Sequence, residues 1–279
     1  MTVVVRLGSA ERPASGLAAA QPANVSHIQV TPLTAPLSTP PGAKGINGAR
    51  FSPPVATLVV GDSQASALVA NAPPGLERSL RLEDGSVEGC GIAGGKMASS
   101  IGYRRNLDEE CGGWADKWAA SARKDRPDIA VVVVGAWEVF DLSLGGHNVR
   151  FGSQEWDRYL SQRLSLGVDA LRRAGVPVVA VLGVPCYRPV DGGGLTALPE
   201  RGDDSRTAHL NQLFQAFAKR DPAHTVFLSP PGQFCSDTSI ATDVAYRWDG
   251  VHYYKPGAGL VFQAIVPQLL VIPRPRAGR

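Results

Sequence analysis

The amino-acid sequence predicts an α/β fold, in which a parallel β-sheet lies between two layers of helices. Apolar, β-rich runs alternate with helical patterns along most of the chain, as is typical of parallel strands joined by crossover helices. Several of these runs are apolar at every position, which indicates strands buried on both faces. No repeat period recurs, and 279 residues, 44% of them hydrophobic, suffice for one sizeable core. We therefore expect a single domain.

The first 54 residues do not share this organisation. They contain eight of the 22 prolines, much Ala and Ser, and no sustained periodicity. This composition predicts a linker or a surface-wrapping arm over residues 1–54. The folded domain is predicted over residues 55–272, followed by a basic tail at 273–279.

The predicted domain opens with a buried strand that ends at Gly61, and a short helical pattern at 65–71 follows at once. A weaker strand region at 79–89 leads into a glycine-rich loop at 90–96. A helix is predicted over 114–124, because two tryptophans four residues apart lie on one helical face and a proline follows.

The middle of the chain carries the strongest periodic signals. The run at 128–134 is an apolar strand, and apolar residues recur at helical spacing over 154–174. Ser153 is a suitable N-cap for this helix, and Gly175 ends it. The fourth strand is predicted at 176–182.

Two long loops separate the last predicted elements. The first, at 183–204, precedes a helix at 205–220 and a fifth strand at 224–229. The second, at 230–248, comes shortly before the final helix at 255–270, which has a proline in its first turn.

Charge and composition exclude several classes of function. The formal charge is +3, but residues 1–54 and 271–279 hold seven basic residues and one acidic residue, which leaves 21 basic and 24 acidic residues in 55–270. A slightly acidic domain is unsuited to phosphate backbones, so no nucleic-acid partner is expected. The sequence contains neither a metal-ligand cluster nor a cofactor motif, so neither metal nor cofactor is expected.

No apolar run reaches the length of a membrane span, and the apolar start at 1–5 lacks the features of a signal peptide. We expect targeting information to be missing from this sequence or to lie in a longer parent chain.

Four cysteines occur at spacings that fit no zinc motif: Cys90, Cys111, Cys186 and Cys235. An even number of well-separated cysteines favours two disulfides and an extracytoplasmic location. The alternative is four reduced, buried thiols in a cytosolic protein.

The first strand breaks at Gly61-Asp62-Ser63 and runs into a helix, which places Ser63 at the carboxyl edge of the sheet. Open α/β sheets build their sites at this edge, and the N–H groups at the start of a helix favour negative charge. Ser63 is therefore placed where a nucleophile with oxyanion support could lie. An ordinary turn is the alternative.

A base and an orienting group are available in the run Trp248-Asp249-Gly-Val-His252. On a tight turn the Asp249 carboxylate can hold Nδ1–H of His252, which leaves Nε2 free to take the proton of Ser63. A capping turn is the alternative for this motif.

The order of these parts resembles the SGNH (GDSL-like) hydrolase family over about residues 55–270. The resemblance implies an α/β/α sandwich with a flavodoxin-like, parallel five-stranded sheet. It implies Ser63 as nucleophile, with Asp249 and His252 completing a triad. The second block of the family matches Gly91-Ile-Ala-Gly94, which implies that the N–H of Gly94 joins that of Ser63 as an oxyanion donor.

Two positions depart from the family pattern. Gln64 follows the serine where Leu is usual, and the third block reads Gly135-Ala-Trp-Glu138 in place of Gly-x-Asn-Asp, so the Asn that donates to the oxyanion is missing. Trp137 Nε1–H is a candidate substitute donor. Packing in the core, or a stacking wall for a sugar or acyl group, are alternative roles for Trp137.

The departures, the cysteines and the proline-rich arm together resemble a narrower subgroup: extracytoplasmic SGNH domains fused behind a bacterial membrane O-acyltransferase (acyltransferase-3) domain. This resemblance implies transfer of an acyl group, often acetyl, to an envelope or secreted glycan, with the arm as tether to the membrane part. The partners would be an acyl donor, a carbohydrate acceptor and that acyltransferase domain. A non-catalytic glycan-binding module on a degenerate scaffold is the rival hypothesis.

The predicted disulfides are Cys90–Cys111 and Cys186–Cys235. The first closes a short loop beside the second block, and the second joins the loops that follow the fourth and fifth strands.

Overall fold

A computed structural model describes residues 49–191 and 196–275 of the chain. The predicted arm up to residue 48, the tip of the loop at 192–195 and the end of the basic tail at 276–279 lie outside the described residues.

The strands of the described residues are, in chain order, β1 (Val55–Gly61), β2 (Leu80–Asp84), β3 (Lys96–Ala98), β4 (Arg104–Asn106), β5 (Ile129–Val133), β6 (Asp141–Leu144), β7 (His147–Val149), β8 (Val178–Leu182) and β9 (Thr225–Leu228). The α-helices are α1 (Ser63–Ala70), α2 (Leu107–Glu110), α3 (Trp114–Asp125), α4 (Gln154–Arg173), α5 (Asp204–Ala218), α6 (Gln233–Ser236), α7 (Thr238–Ala241) and α8 (Lys255–Leu270).

The central sheet is parallel and has the strand order β2-β1-β5-β8-β9. Every residue of β1, β5 and β8 is buried, because helices cover both faces. One apolar cluster joins this sheet to α3, α4 and α5, and the other joins it to α1 and α8. The predicted three-layer α/β/α architecture with five parallel strands is confirmed.

The tryptophan pair predicted on α3 forms part of the packing between α3 and α4. The rings of Trp114 and Trp118 lie 4.5 Å apart in an edge-to-face arrangement. Gly167 of α4 faces them, and a Cβ atom at this position would approach both rings to 2.8 Å. The glycine therefore lets the two helices come close.

A second, antiparallel sheet of four strands, β4-β3-β6-β7, lies at positions where the sequence predicts no strand. Its strands are three or four residues long, too short for a clear period of two. The turn between β6 and β7 is Gly145-Gly146, and both residues have positive φ, as a tight hairpin turn requires. The small sheet joins the segment after β2 to the segment after β5.

Both predicted disulfides are present. Cys90 and Cys111 are bonded at a Cα–Cα distance of 5.4 Å, and Cys186 and Cys235 at 5.0 Å. The first links the glycine-rich loop to the start of α3, and the second links the loops after β8 and β9. Both bridges therefore brace loops that follow the carboxyl ends of the strands.

Residues just before 55, which the prediction assigned to the arm, contact the domain. Phe51 is buried in the second apolar cluster, and Arg50 forms a β-bridge with Pro273. The N–H of Arg274 donates to the carbonyl oxygen of Ala49 at 2.7 Å. The two ends of the described domain are thus paired with each other. Of the helices in 49–191 and 196–275, none is both long and apolar enough for a bilayer span.

Candidate active site

The nucleophile candidate is positioned by a close contact between the two central strands. Gly61 lies level with Val133 of β5, and its φ of +146° would bring a Cβ atom to 1.8 Å from the Val133 carbonyl oxygen. Only glycine fits here. The next residue, Asp62, accepts from the N–H of Gln64 at 2.8 Å and so caps α1, whose first residue is Ser63.

Ser63, His252 and Asp249 come together at this edge. Ser63 Oγ lies 2.6 Å from His252 Nε2, and His252 Nδ1 lies 2.7 Å from Asp249 Oδ2. These distances fit one tautomer, in which Nδ1–H donates to the carboxylate and Nε2 accepts from the serine hydroxyl. The structure thus places the three predicted residues in the arrangement that serine activation requires.

The turn around Asp249 holds its carboxylate rigidly. Oδ1 accepts from the backbone N–H groups of Val251 and His252, at 2.9 and 2.8 Å. Burial acts to raise the pKa of Asp249, but the hydrogen bonds and the charge of His252 outweigh it, so that the pKa lies below its usual value. The carboxylate therefore stays ionised next to the imidazole at neutral pH.

Trp248 forms a wall against the imidazole. Its ring stacks on His252 at 5.0 Å with an interplanar angle of 11°, and Tyr254 packs against it at 5.0 Å. Trp248 is 36% exposed, so it borders the opening to the triad and restricts the orientation of the imidazole.

Side chains hold the glycine-rich loop through its backbone N–H groups. Glu138 Oε1 accepts from Ile92 at 2.7 Å and from Ala93 at 3.3 Å, and Asp108 accepts from Gly95 at 2.9 Å. The hydroxyl of Tyr159 lies close to Gly94, where it would be 2.8 Å from a Cβ atom. The assignment of the Gly94 N–H as an oxyanion donor stays a prediction.

Glu138 is buried and connects this loop to the end of β5. Its second oxygen accepts from the N–H of Gly135 at 2.7 Å. Burial raises the pKa of Glu138 to about 7, and the nearby Asp62 acts in the same direction, against the three backbone hydrogen bonds. The carboxyl group therefore titrates close to neutral pH.

Trp137 contacts two cations. The guanidinium carbons of Arg105 and Arg201 are each 4.3 Å from its ring centre. Within the described residues its indole N–H has no hydrogen-bond partner. The role of Trp137 as an oxyanion donor or as a stacking wall stays a prediction.

The family of the chain follows from a match that spans nearly the whole domain. Over residues 36–267 the sequence matches the family described as "SGNH domain (fused to AT3 domains)". The chain belongs to this SGNH domain family. A search of curated protein sequences finds no significant match.

Solved structures similar to this SGNH domain include a GDSL-like lipase from Bacteroides thetaiotaomicron, a carbohydrate acetylesterase from Sinorhizobium meliloti and an aryl esterase from M. smegmatis. Sequence identities are 11%, 12% and 12%, and TM-scores are 0.48, 0.47 and 0.47. The matches cover 79%, 77% and 78% of this chain and 91%, 98% and 99% of the other chains.

Gln64, the first departure of this SGNH domain from its family pattern, has a buried partner. The hydroxyl of Tyr187 donates to Gln64 Oε1 at 2.9 Å. Burial raises the pKa of the neighbouring Asp62, whose Oδ2 atom has no hydrogen-bond partner in the described part of the chain. A polar network therefore lies beneath the nucleophile of this SGNH domain, where the family usually has a leucine.

Sequence reasoning missed three functional candidates in the SGNH domain. Glu138 was visible as the acidic residue of the third block, and Trp248 as the neighbour of Asp249, but neither was given a role. Arg201 lies in a long loop and carried no motif, so only the fold brings it to Trp137.

Proposed function

We propose that this SGNH domain catalyses acyl-ester chemistry through a covalent acyl-enzyme. Ser63 Oγ attacks the ester carbonyl, His252 takes its proton and passes it to the leaving alcohol, and Asp249 orients His252. The observation that carries the proposal is the unbroken chain from Ser63 to Asp249, with links of 2.6 and 2.7 Å. Membership of the SGNH family supports ester hydrolysis or related acyl chemistry.

The second half-reaction distinguishes an esterase from a transferase. Water or a sugar hydroxyl attacks the acyl-enzyme and gives its proton to His252, which returns the proton to Ser63 Oγ as the acyl–Ser63 bond breaks. We favour a carbohydrate acceptor from the cell envelope or a secreted glycan, with acetyl as the acyl group. The fusion of this family to AT3 domains supports this choice, since such a fusion couples the domain to an acyl-transferring partner.

We place the domain outside the cytoplasm, tethered to a membrane acyltransferase part in a longer parent. Two disulfides support an oxidising compartment, because thiols in the cytosol are kept reduced. The family description supports the tether.

The first test is the loss of ester cleavage in triad variants. On p-nitrophenyl acetate, Ser63→Ala and His252→Ala should each remove nearly all activity, and the double variant should be little worse, because triad effects are strongly non-additive. Asp249→Asn should lower kcat by up to roughly 10⁴-fold while the fold persists, as in serine proteases.

Matched controls lie outside the triad. Ser66→Ala alters a serine on the same helix, and His209→Ala breaks a His–Asp pair with a 2.6 Å contact to Asp157. Both controls should keep their activity. Undiminished cleavage by Ser63→Ala would contradict the enzymatic proposal.

The rival function, a non-catalytic glycan-binding module, rests on the missing Asn of the third block. A fluorophosphonate probe separates the two, because it labels only an activated serine. Labelling of the wild type but not of Ser63→Ala supports the enzyme.

Acceptor choice is then tested by mass spectrometry of sugars incubated with the enzyme and an acetyl donor. Free acetate without any sugar ester would identify an esterase.

A further inference from the structure

Arg201 is a buried cation attached to the third block. It lies in the one-turn helix Pro199–Gly202, between β8 and α5, and is only 8% exposed. Its Nε donates to the carbonyl oxygen of Ala136 at 2.9 Å, and its guanidinium packs on the ring of Trp137. Both contacts are with the segment where the family carries its oxyanion Asn.

The terminal nitrogens of Arg201 are unused. Among the described residues neither Nη1 nor Nη2 has a hydrogen-bond partner or a carboxylate at ion-pair distance. Unlike the unpaired nitrogens of Arg247, they are not sealed from solvent. Nitrogens that reach solvent and have no protein partner are available to an anion that is present only during turnover.

The register of the central sheet brings this segment to the nucleophile. Gly61 pairs with Val133, so Ser63 and Gly135, each two residues farther along, leave the sheet side by side. Ala136, the anchor of Arg201, follows directly. Electrostatic interactions of Arg201 agree with this placement. They include attraction to Asp62, next to Ser63, and to Asp249, the partner of His252.

We propose that Arg201 stabilises the oxyanion of the tetrahedral intermediate, in place of the missing third-block amide; this rests on the proposed acyl-ester function. When Ser63 Oγ bonds to the ester carbon, the carbonyl π pair moves to oxygen and His252 receives the proton. The guanidinium N–H groups donate to that oxygen until the C=O bond re-forms and the alcohol leaves with the proton. A cation in a site with little water interacts strongly with such developing charge.

The test compares Arg201→Ala and Arg201→Lys with the wild type on neutral p-nitrophenyl esters. We expect kcat to fall by roughly 10²-fold or more in Arg201→Ala, with little change in KM, and by less in Arg201→Lys, which keeps the charge. Millimolar guanidinium ion should restore part of the kcat of Arg201→Ala in a saturable manner, whereas urea and sodium chloride should not. Such rescue requires a folded protein with an empty cation site, so a merely structural role would not produce it.

Arg206 provides a matched control. Its Nη1 donates to the Val139 carbonyl oxygen at 2.6 Å and its guanidinium lies 4.8 Å from the Phe151 ring, but it also contacts the carboxylates of Asp141 and Asp203. Arg206→Ala should keep the wild-type kcat and show no effect of guanidinium.

Three outcomes would overturn the role of Arg201. These are an unchanged kcat in both variants, a loss confined to KM, and loss of the fold in both variants. A wild type that neither cleaves esters nor reacts with a fluorophosphonate would instead overturn the proposed function itself, so the two failures are distinguishable.

Discussion

Trp137 stands where the family's third-block Asn is expected, and its ring contacts the guanidinium groups of Arg105 and Arg201. If Arg201 donates to the oxyanion as proposed, the indole supplies the aromatic surface on which its guanidinium packs. A phenylalanine preserves most of that surface, although its face attracts cations less strongly.

Trp137→Phe should therefore lower kcat on p-nitrophenyl acetate by less than about 10-fold. Trp137→Ala, which removes the surface altogether, should approach the loss seen in Arg201→Ala. Steady-state kinetics of the three variants decide the matter. A 100-fold fall in Trp137→Phe, with Arg201→Ala unaffected, would assign the donor to the indole N–H.

At the scale of the element, the loop at 90–96 depends on a carboxyl group from another segment. Glu138 accepts from Ile92, Ala93 and Gly135, and so holds the end of β5 to the glycine-rich loop. This connection makes the stability of the loop sensitive to the ionisation of one buried side chain.

Stability should depend on pH through Glu138. Its pKa is about 7 in the folded protein, above the usual value of 4.5, so between these pH values the folded state holds a proton that the unfolded state has lost. Its contribution to the free energy of unfolding should therefore fall as pH rises from 4.5 through 7, by roughly 3 kcal/mol. Glu138→Gln cannot titrate and should lack this slope.

Urea unfolding of the wild type and Glu138→Gln, from pH 5 to pH 8, measures the difference. The amide also replaces one acceptor by a donor, so the variant loses the bond from Gly135, but this loss is the same at every pH. A wild-type-minus-variant difference that stays level across the range would contradict the expectation.

The elements differ in how far their sequence could predict them. The central strands β1, β5 and β8 and the helices α3, α4, α5 and α8 were predictable, because burial on two faces and helical spacing leave a long, regular signal. The edge strands β2 and β9 were also predicted, although they are only partly buried. The antiparallel sheet was not, since three-residue strands such as β3 and β4 depend on tertiary pairing for their conformation. Only the Gly145-Gly146 turn could have indicated a hairpin.

The candidate active site also contains residues that the sequence could predict and one that it could not. Ser63, Asp249 and His252 lie in short motifs at the ends of predictable elements, and the structure brings them within hydrogen-bond distance. Arg201 follows 18 residues after Gly183, in a loop whose path no local pattern specifies. A residue whose neighbours are set only by long-range packing gives no local signal in a single sequence.

At the scale of the whole molecule, the two disulfides restrain the loops at the catalytic end of the sheet. They close segments of 21 and 49 residues, which on a chain-entropy model stabilises the fold by about 3 and about 4 kcal/mol. The longer bridge also ties down the loop that carries Tyr187, the partner of Gln64.

Replacing Cys186 and Cys235 by alanine should therefore destabilise the protein by about 4 kcal/mol, and replacing Cys90 and Cys111 by about 3 kcal/mol. Urea unfolding of the two double variants measures both values. Adding a reductant to the wild type should reproduce their combined effect and should leave a variant without cysteines unchanged. Free thiols in the native protein, detected by peptide mapping without reduction, would contradict both pairings.

The pairing of Ala49 with Arg274 has a geometric consequence. The chain enters and leaves the domain side by side near the amino end of β1, whereas Ser63 follows its carboxyl end, about 20 Å away. A partner attached directly at residue 49 or residue 275, or a surface on which the protein is immobilised there, would therefore lie at the end of the sheet opposite Ser63.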